Sequence, residues 1–206
     1  MKLNKTINFN FKNKKVLILG ASGGIGNIIV KDFLKANAFV YGISRKKIKI
    51  KNTKFKNIVL DLNNIKKEFK NSNLYNLKKI DFIINAYSIT EKSKIKLQSE
   101  VIFEKTIKNN LISYYNLIKL LENRINNKGS IVNITSINSK LAFENNPSYQ
   151  VSKAGLSSLT RSLAKDLSNK NIRVNSIAPS YIKTNMTKKS YKNNKLKNII
   201  ANKNFL

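Results

Sequence analysis

Tyr149 and Lys153 stand four residues apart in the run Pro147-Ser148-Tyr149-Gln150-Val151-Ser152-Lys153-Ala154-Gly155. On a helix starting near Pro147, that spacing puts phenol and ammonium on one face. A neighbouring ammonium favours phenolate, drawing a tyrosine from about 10 toward working pH and making it usable as an acid–base group. With 8 Tyr and 36 Lys in the chain, such pairs also arise by chance on solvated surfaces, so this one gains meaning only from its surroundings. A second segment with chemical content is Gly20-Ala21-Ser22-Gly23-Gly24-Ile25-Gly26, which holds four of the 7 glycines. Between a strand and a helix, such a turn aims backbone N–H groups and a helix N-terminus at a pyrophosphate. Gly20 would permit the tight turn, Gly24 a close backbone approach to the phosphates, and Gly26 close packing of helix on strand. An ordinary strand-to-helix turn would not need so much glycine. Cofactor binding is the favoured reading.

The elements that must position these groups are visible as short apolar runs. Val16-Leu17-Ile18-Leu19 suits a strand buried on both faces of a parallel sheet, and it breaks at Gly20. A helical pattern follows through Ile25, Ile28, Ile29, Phe33 and Leu34. Further strands are expected at 39–43, 58–60, 82–84, 130–134 and 172–177, with a long helix over about 100–123 and another over about 148–168. Strands alternating with helices predict an α/β fold, a Rossmann-type doubly wound parallel sheet with helices on both faces. Residues 1–206 read as a single domain without repeats or a linker, 1–14 being a polar leader onto the first strand. At the end of the second strand stands Ser44-Arg45-Lys46-Lys47, with no acid to hold a ribose 2′-hydroxyl. A guanidinium suits a 2′-phosphate, so NADP(H) is favoured over NAD(H).

Composition narrows the chemistry. Cysteine and histidine are both absent, which removes disulfides, thiol nucleophiles, imidazole mechanisms and the usual zinc sites, so no metal is expected. Lys plus Arg is 40 against 10 acids, a formal +30. That charge could serve nucleic acid or an anionic surface. Yet 36 of the 40 are Lys and only 4 are Arg, beside 33 Asn and 28 Ile, the profile of A- and T-rich codons. A phosphate-binding surface draws more on Arg. Compositional drift is therefore favoured over nucleic-acid binding. No stretch reaches 18 apolar residues and no cleavable leader is evident, so no membrane contact and a cytoplasmic address are expected.

The set of segments resembles a classical short-chain dehydrogenase/reductase. Those that carry the resemblance are the Gly20–Gly26 loop, Asp61-Leu62, Asn85, Asn110, Ser136, Tyr149 with Lys153, and the run from Pro179 to Thr187. They span nearly the whole chain in the family's order. The resemblance implies a catalytic set of Asn110, Ser136, Tyr149 and Lys153. Tyr149 would protonate the carbonyl oxygen as hydride leaves the nicotinamide, and Lys153 would lower its pKa and hold the ribose hydroxyls. Ser136 would hydrogen-bond the substrate oxygen, and Asn110 would hold a water linking Lys153 to solvent. Cofactor contacts would come from Gly20, Ser22, Gly24, Ile25, Gly26, Arg45, Asp61, Leu62, Asn85, Tyr149, Lys153, Pro179, Ile182 and Thr184. Within the family, Ile89-Thr90 and the Ile182–Thr187 run are similar to bacterial 3-oxoacyl-(acyl-carrier-protein) reductases. The substrate implied is a small or carrier-bound carbonyl compound, with sugars, alcohols and other ketones left open, and whether the chain forms a homo-oligomer is left open too.

Three departures from the pattern are local, and the largest is at the end. Leu19 replaces a Thr and Ser180 a Gly. Asn85-Ala86-Tyr87-Ser88 stands where Asn-Asn-Ala-Gly is usual, which is expected to alter the nicotinamide side. Residues 187–206 are expected to be a shortened or divergent substrate-covering tail, with the family's last strand absent. A cofactor-binding protein without turnover and an anionic-surface binder are the competing classes. The complete catalytic set favours the enzyme.

Overall fold

The computed structural model describes residues 9–188. The first eight residues of the expected leader, and the tail from 189 on, lie outside the described residues. Six strands form one sheet: β1 (Lys15–Leu19), β2 (Phe39–Ser44), β3 (Phe55–Val59), β4 (Ile80–Asn85), β5 (Ile125–Ile134) and β6 (Arg173–Ile177). Their order is β3-β2-β1-β4-β5-β6, and every neighbouring pair is parallel. The helices are α1 (Gly24–Lys35), α2 (Ile65–Glu68), α3 (Glu100–Ile107), α4 (Ser113–Leu121) and α5 (Pro147–Asp166). This is the doubly wound Rossmann-type arrangement expected. Among the described residues, β6 ends the sheet on its side.

The unbroken apolar run of β1 has its reason in two cores. Val16 and Ile18 enter the core that α1 covers with Val30 and Phe33. Leu17 and Leu19 enter the larger one, which α4 and α5 cover with Tyr114, Leu117, Leu156 and Leu163. A strand buried on both faces has no place for alternation. Fully burying each such side chain contributes about 1.5–3 kcal/mol. Because β1 has β2 on one side and β4 on the other, the strand order reverses there, and a crevice opens at the strands' C-terminal ends.

Three elements differ from the apolar pattern. β3 runs Phe55–Val59, so Leu60 lies beyond it, its N–H donating to the Ser44 carbonyl at 3.0 Å. β5 starts at Ile125 because a register shift between Ile80 and Phe82 bulges its polar first half, with Lys128 at φ +63°. The expected single helix over 100–123 is two helices around a π-helical turn at Lys108–Ile112. There the neighbours Asn109 and Asn110 are both buried yet bond to different elements, Asn109 to Asn63 and Tyr87 and Asn110 to Ile89 and Ser152.

The approach to β1 is part of the packing. Phe11 is half-buried, its ring 5.0 Å from that of Phe33 and 5.5 Å from that of Phe82. Its N–H donates to the Ala36 carbonyl at 2.6 Å. None of the described helices is long and apolar enough to cross a membrane. Phe11→Ala is expected to lower unfolding free energy by about 2 kcal/mol, below the range for a fully buried ring, with an unchanged urea m-value. A urea melt within error of the wild type would show that this segment merely lies on the surface.

Candidate active site

The chain leaves β1 at Leu19 and turns at once. Gly20 sits at φ +73°, and a Cβ there would fall 2.8 Å from the Ala86 carbonyl oxygen and from the Tyr87 Cα. Only glycine combines that dihedral with so close a neighbour. The Gly23 N–H closes the turn on the Gly20 carbonyl at 2.9 Å. Gly23 then caps α1 in an extended conformation, with no side-chain cap and no acid in the first turn. The first N–H groups of this 12-residue helix are thus left for an anion.

The crevice has two halves that share Ser22, Gly23, Ala86 and Ser88. One, of about 360 Å³, is lined by Gly24, Ile25, Ser136, Tyr149, Lys153 and Thr184 among others. The other, of about 140 Å³, is lined by Gly20, Ile43, Arg45, Leu60, Leu62 and Tyr87 among others. A phosphate-binding turn midway between two pockets matches a dinucleotide. Pro179 and Ile182 lie on the larger half, and Thr184 stands over Gly24, where a Cβ would meet its Cγ2 at 2.7 Å. The Thr187 hydroxyl holds this segment by donating to the Ile182 carbonyl at 2.6 Å, and the Thr184 N–H donates to the same hydroxyl at 2.9 Å.

Tyr149 lies in the first turns of α5 and lines the larger half with Ser136 and Ser88. Ser136 follows β5, and its hydroxyl donates to Asn138 Oδ1 at 3.0 Å while accepting from the Asn138 N–H at 3.2 Å. Lys153, 2% exposed, donates from Nζ to the Ile134 carbonyl at 2.8 Å. Its Nζ lies 5.6 Å from the centre of the Tyr149 ring. Burial brings the Lys153 amine down to about 7. Burial also pushes Tyr149 up, with the nearby Ser136 and Ser88 hydroxyls acting the other way. At Tyr149 desolvation thus outweighs any lowering by the neighbouring amine. The amine is over the ring and bonded to a carbonyl, and burial disfavours its own charge.

Four of the expected residues stand behind the crevice rather than on it. Asn110 accepts from the Ile89 N–H at 2.8 Å and donates to the Ile89 carbonyl and to Ser152 Oγ, both at 2.9 Å. Ser152 Oγ donates in turn to the Tyr149 carbonyl at 2.8 Å, so Asn110 clamps the loop after β4 to the start of α5. Asp61 caps the 3-10 turn Leu62–Asn64 by accepting from the Asn63 N–H at 3.0 Å. Asn85, 1% exposed, accepts from the Tyr87 N–H at 3.3 Å. Gly26 packs against the Gly20 carbonyl, giving α1 its closeness to the turn.

Two functional neighbours were not legible from spacing. Ser88 touches both halves and shares the larger one with Tyr149. Tyr87, expected to affect the nicotinamide side, lines the half with Arg45 and Leu62 instead, because its side chain runs toward Asn109.

A parallel sheet with a glycine turn at its switch point, and beside it a half-buried Tyr149 with buried Ser136 and Lys153, defines a dinucleotide-binding α/β protein with acid–base equipment. Residues 14–195 match the short chain dehydrogenase family, and the chain belongs to it. It is 33% identical over 187 residues to 3-oxoacyl-(acyl-carrier-protein) reductase FabG of Chlamydia pneumoniae, covering 84% of this chain and 75% of that one. The enzyme of the same name from Rickettsia typhi is 32% identical over 87% of this chain and 77% of its own. Among solved structures, a 4-hydroxyisoleucine dehydrogenase complexed with NADH superposes with a TM-score of 0.82 at 32% identity, covering 91% and 81% of the two chains. The protein is thus an oxidoreductase of the nicotinamide-dependent kind.

The depressed Lys153 has a consequence for stability. Unfolded, a lysine titrates near 10.4, whereas here the value is about 7. Between those two values the unfolded chain holds one proton more, so stability rises with pH there; below about 7 the full cost of burying the charge is present. Lys153→Met should therefore gain stability relative to wild type at pH 6, and lose that advantage steadily toward pH 10. Urea melts across this range check it, and parallel curves would show that the amine is not desolvated.

Proposed function

We propose that this chain reduces a carbonyl to an alcohol, and runs the reverse, with Tyr149 as the proton donor and NADP(H) bound along the crevice. The observation that carries the reading is that Tyr149, Ser136 and Lys153 share one cleft with the uncapped N-terminus of α1. The residues fit the group: the turn leaves N–H groups for a pyrophosphate, and the two halves flank it. Bound there, the dinucleotide supplies hydride to the carbonyl carbon. Tyr149 then gives its proton to the oxygen, so that hydride and proton together make the alcohol. Ser136 would turn its one hydroxyl proton from Asn138 Oδ1 to the same oxygen, still held by the Asn138 N–H, and so align that oxygen with the phenol. Lys153 holds ribose hydroxyls from behind Tyr149, and its ammonium, once solvated or paired there, favours the phenolate. Asn110 positions the start of α5 through Ser152.

Arg45 on the smaller half supports NADP(H), since no acid ends β2. The relatives named above support a 3-oxoacyl group on an acyl-carrier protein as the substrate. The excess of 40 basic over 10 acidic residues suits an acidic carrier, speeding encounter.

Tyr149→Phe should cut turnover of a 3-oxoacyl thioester at least about a hundredfold. Its affinity for NADPH, followed by nicotinamide fluorescence, should stay within about threefold, because only a proton donor is lost. A variant that kept most of its rate would remove Tyr149 from that role. Arg45→Asp should narrow or invert the ratio of NADPH to NADH affinity, and an unchanged ratio would reject Arg45 as the reader of a 2′-phosphate.

A further inference from the structure

The side chain of Tyr87 stands in the smaller half of the crevice with Ile43, Leu60, Leu62, Ile89 and Arg45. It contributes the only aromatic ring among these. Its backbone is fixed from one side: the Cα lies against Gly20, and the N–H donates to Asn85 Oδ1 at 3.3 Å. Its other end is fixed too. The phenol donates a short hydrogen bond to Asn109 Oδ1. That oxygen also accepts from Asn63 Nδ2 at 3.0 Å, while Asn109 Nδ2 donates to the Lys105 carbonyl at 2.7 Å. Asn63 Oδ1 in turn accepts from Ser113 Oγ at 2.8 Å. An amide oxygen only accepts, so the phenol must keep its proton. Burial and the nearby Asp61 carboxylate hold it in that form, with Arg45 acting weakly the other way.

We propose that the Tyr87 ring is a fixed wall of the adenosine half of the crevice and determines how tightly the adenine base is held there. This rests on the cofactor reading above and adds a residue to it. Apart from the Arg45 guanidinium and serine hydroxyls the remaining walls are aliphatic or backbone, and a flat base needs a flat, immobile partner to gain from stacking. A ring held at both ends gives up no rotamer freedom when the base arrives. Asn109 sits beside Asn110 in the same π-helical turn, and Asn110 binds both backbone groups of Ile89. The loop carrying Ser88 is thus fastened on both sides, at Tyr87 and at Ile89.

The test uses the full chain and competition against NADPH fluorescence by AMP and by nicotinamide mononucleotide, the two halves of the cofactor. Stacking of a base on an aromatic side chain commonly accounts for a tenfold difference in affinity, about 1.4 kcal/mol. Tyr87→Ala should therefore weaken AMP and NADPH about tenfold, leaving the mononucleotide within about twofold. Tyr87→Phe, which keeps the ring and loses only the bond to Asn109, should weaken AMP no more than about threefold. Should the alanine variant not fold, Tyr87→Leu keeps the bulk without the flat face and should show the same selective loss. Equal AMP affinity across the series would overturn the proposal, as would equal weakening of both halves, which signals a merely structural role. A wild type that binds neither NADPH nor NADH would remove the cofactor reading itself, and this one with it.

Discussion

The crevice depends on how closely two loops approach each other. The turn at Gly20 and the loop after β4 meet with no room for a single extra carbon between them. This contact is possible because β1 and β4 are direct neighbours in register, Leu19 opposite Asn85. From it follow the aim of the α1 N-terminus, the division of the crevice into halves, and the position of Ser88 within reach of Tyr149. A cofactor site of this kind is less a cavity between elements than a seam between two strand ends. Its precision comes from sheet hydrogen bonds that continue past the strands, as when the Ala86 N–H donates to the Leu19 carbonyl at 3.1 Å.

Much of the fold was legible because its strands are buried on both faces. Val16 to Leu19 had to be apolar throughout, and the glycine cluster after them marked the phosphate turn. β5 was readable only in its last five residues, since its first half, Ile125 to Gly129, is polar and bulged and gains its pairing from Ile80 rather than from its own pattern. The π-helical turn left no mark either, because two asparagines in a row read as a solvated face until both prove buried. At the site, Tyr149, Lys153 and Ser136 come together as their order implied. The electrostatic balance around them did not follow from spacing. Which atom Lys153 Nζ bonds, and whether burial outweighs charge, is settled by the Ile134 carbonyl and the walls around it.

The polar groups behind the crevice do a different job from those on it. Asn110, Asn109, Asn63 and Ser152 touch no part of the open space, yet each bonds a residue that does or the loop that carries it. Buried amides are costly unless satisfied, and these are satisfied by one another and by backbone groups. Together they hold three separate loops in one arrangement. The large positive charge of the chain takes no part in this network, whose members are neutral apart from the cap at Asp61.

The π-helical turn between α3 and α4 also sets a phase. A regular helix advances about 100° per residue, and the turn at Lys108–Ile112 inserts one residue into that rhythm. Asn109 can therefore face the loop after β3 while Asn110 faces α5, and α4 still presents Tyr114, Leu117, Ile118 and Leu121 to the sheet. Removing any one residue from this turn would restore a regular helix. It would also rotate everything on one side of the deletion by about a quarter turn, so that either the asparagines or the apolar face of α4 would point the wrong way. The chain length between Ser99 and Leu121 is thus as constrained as its composition, even though no residue in it reacts.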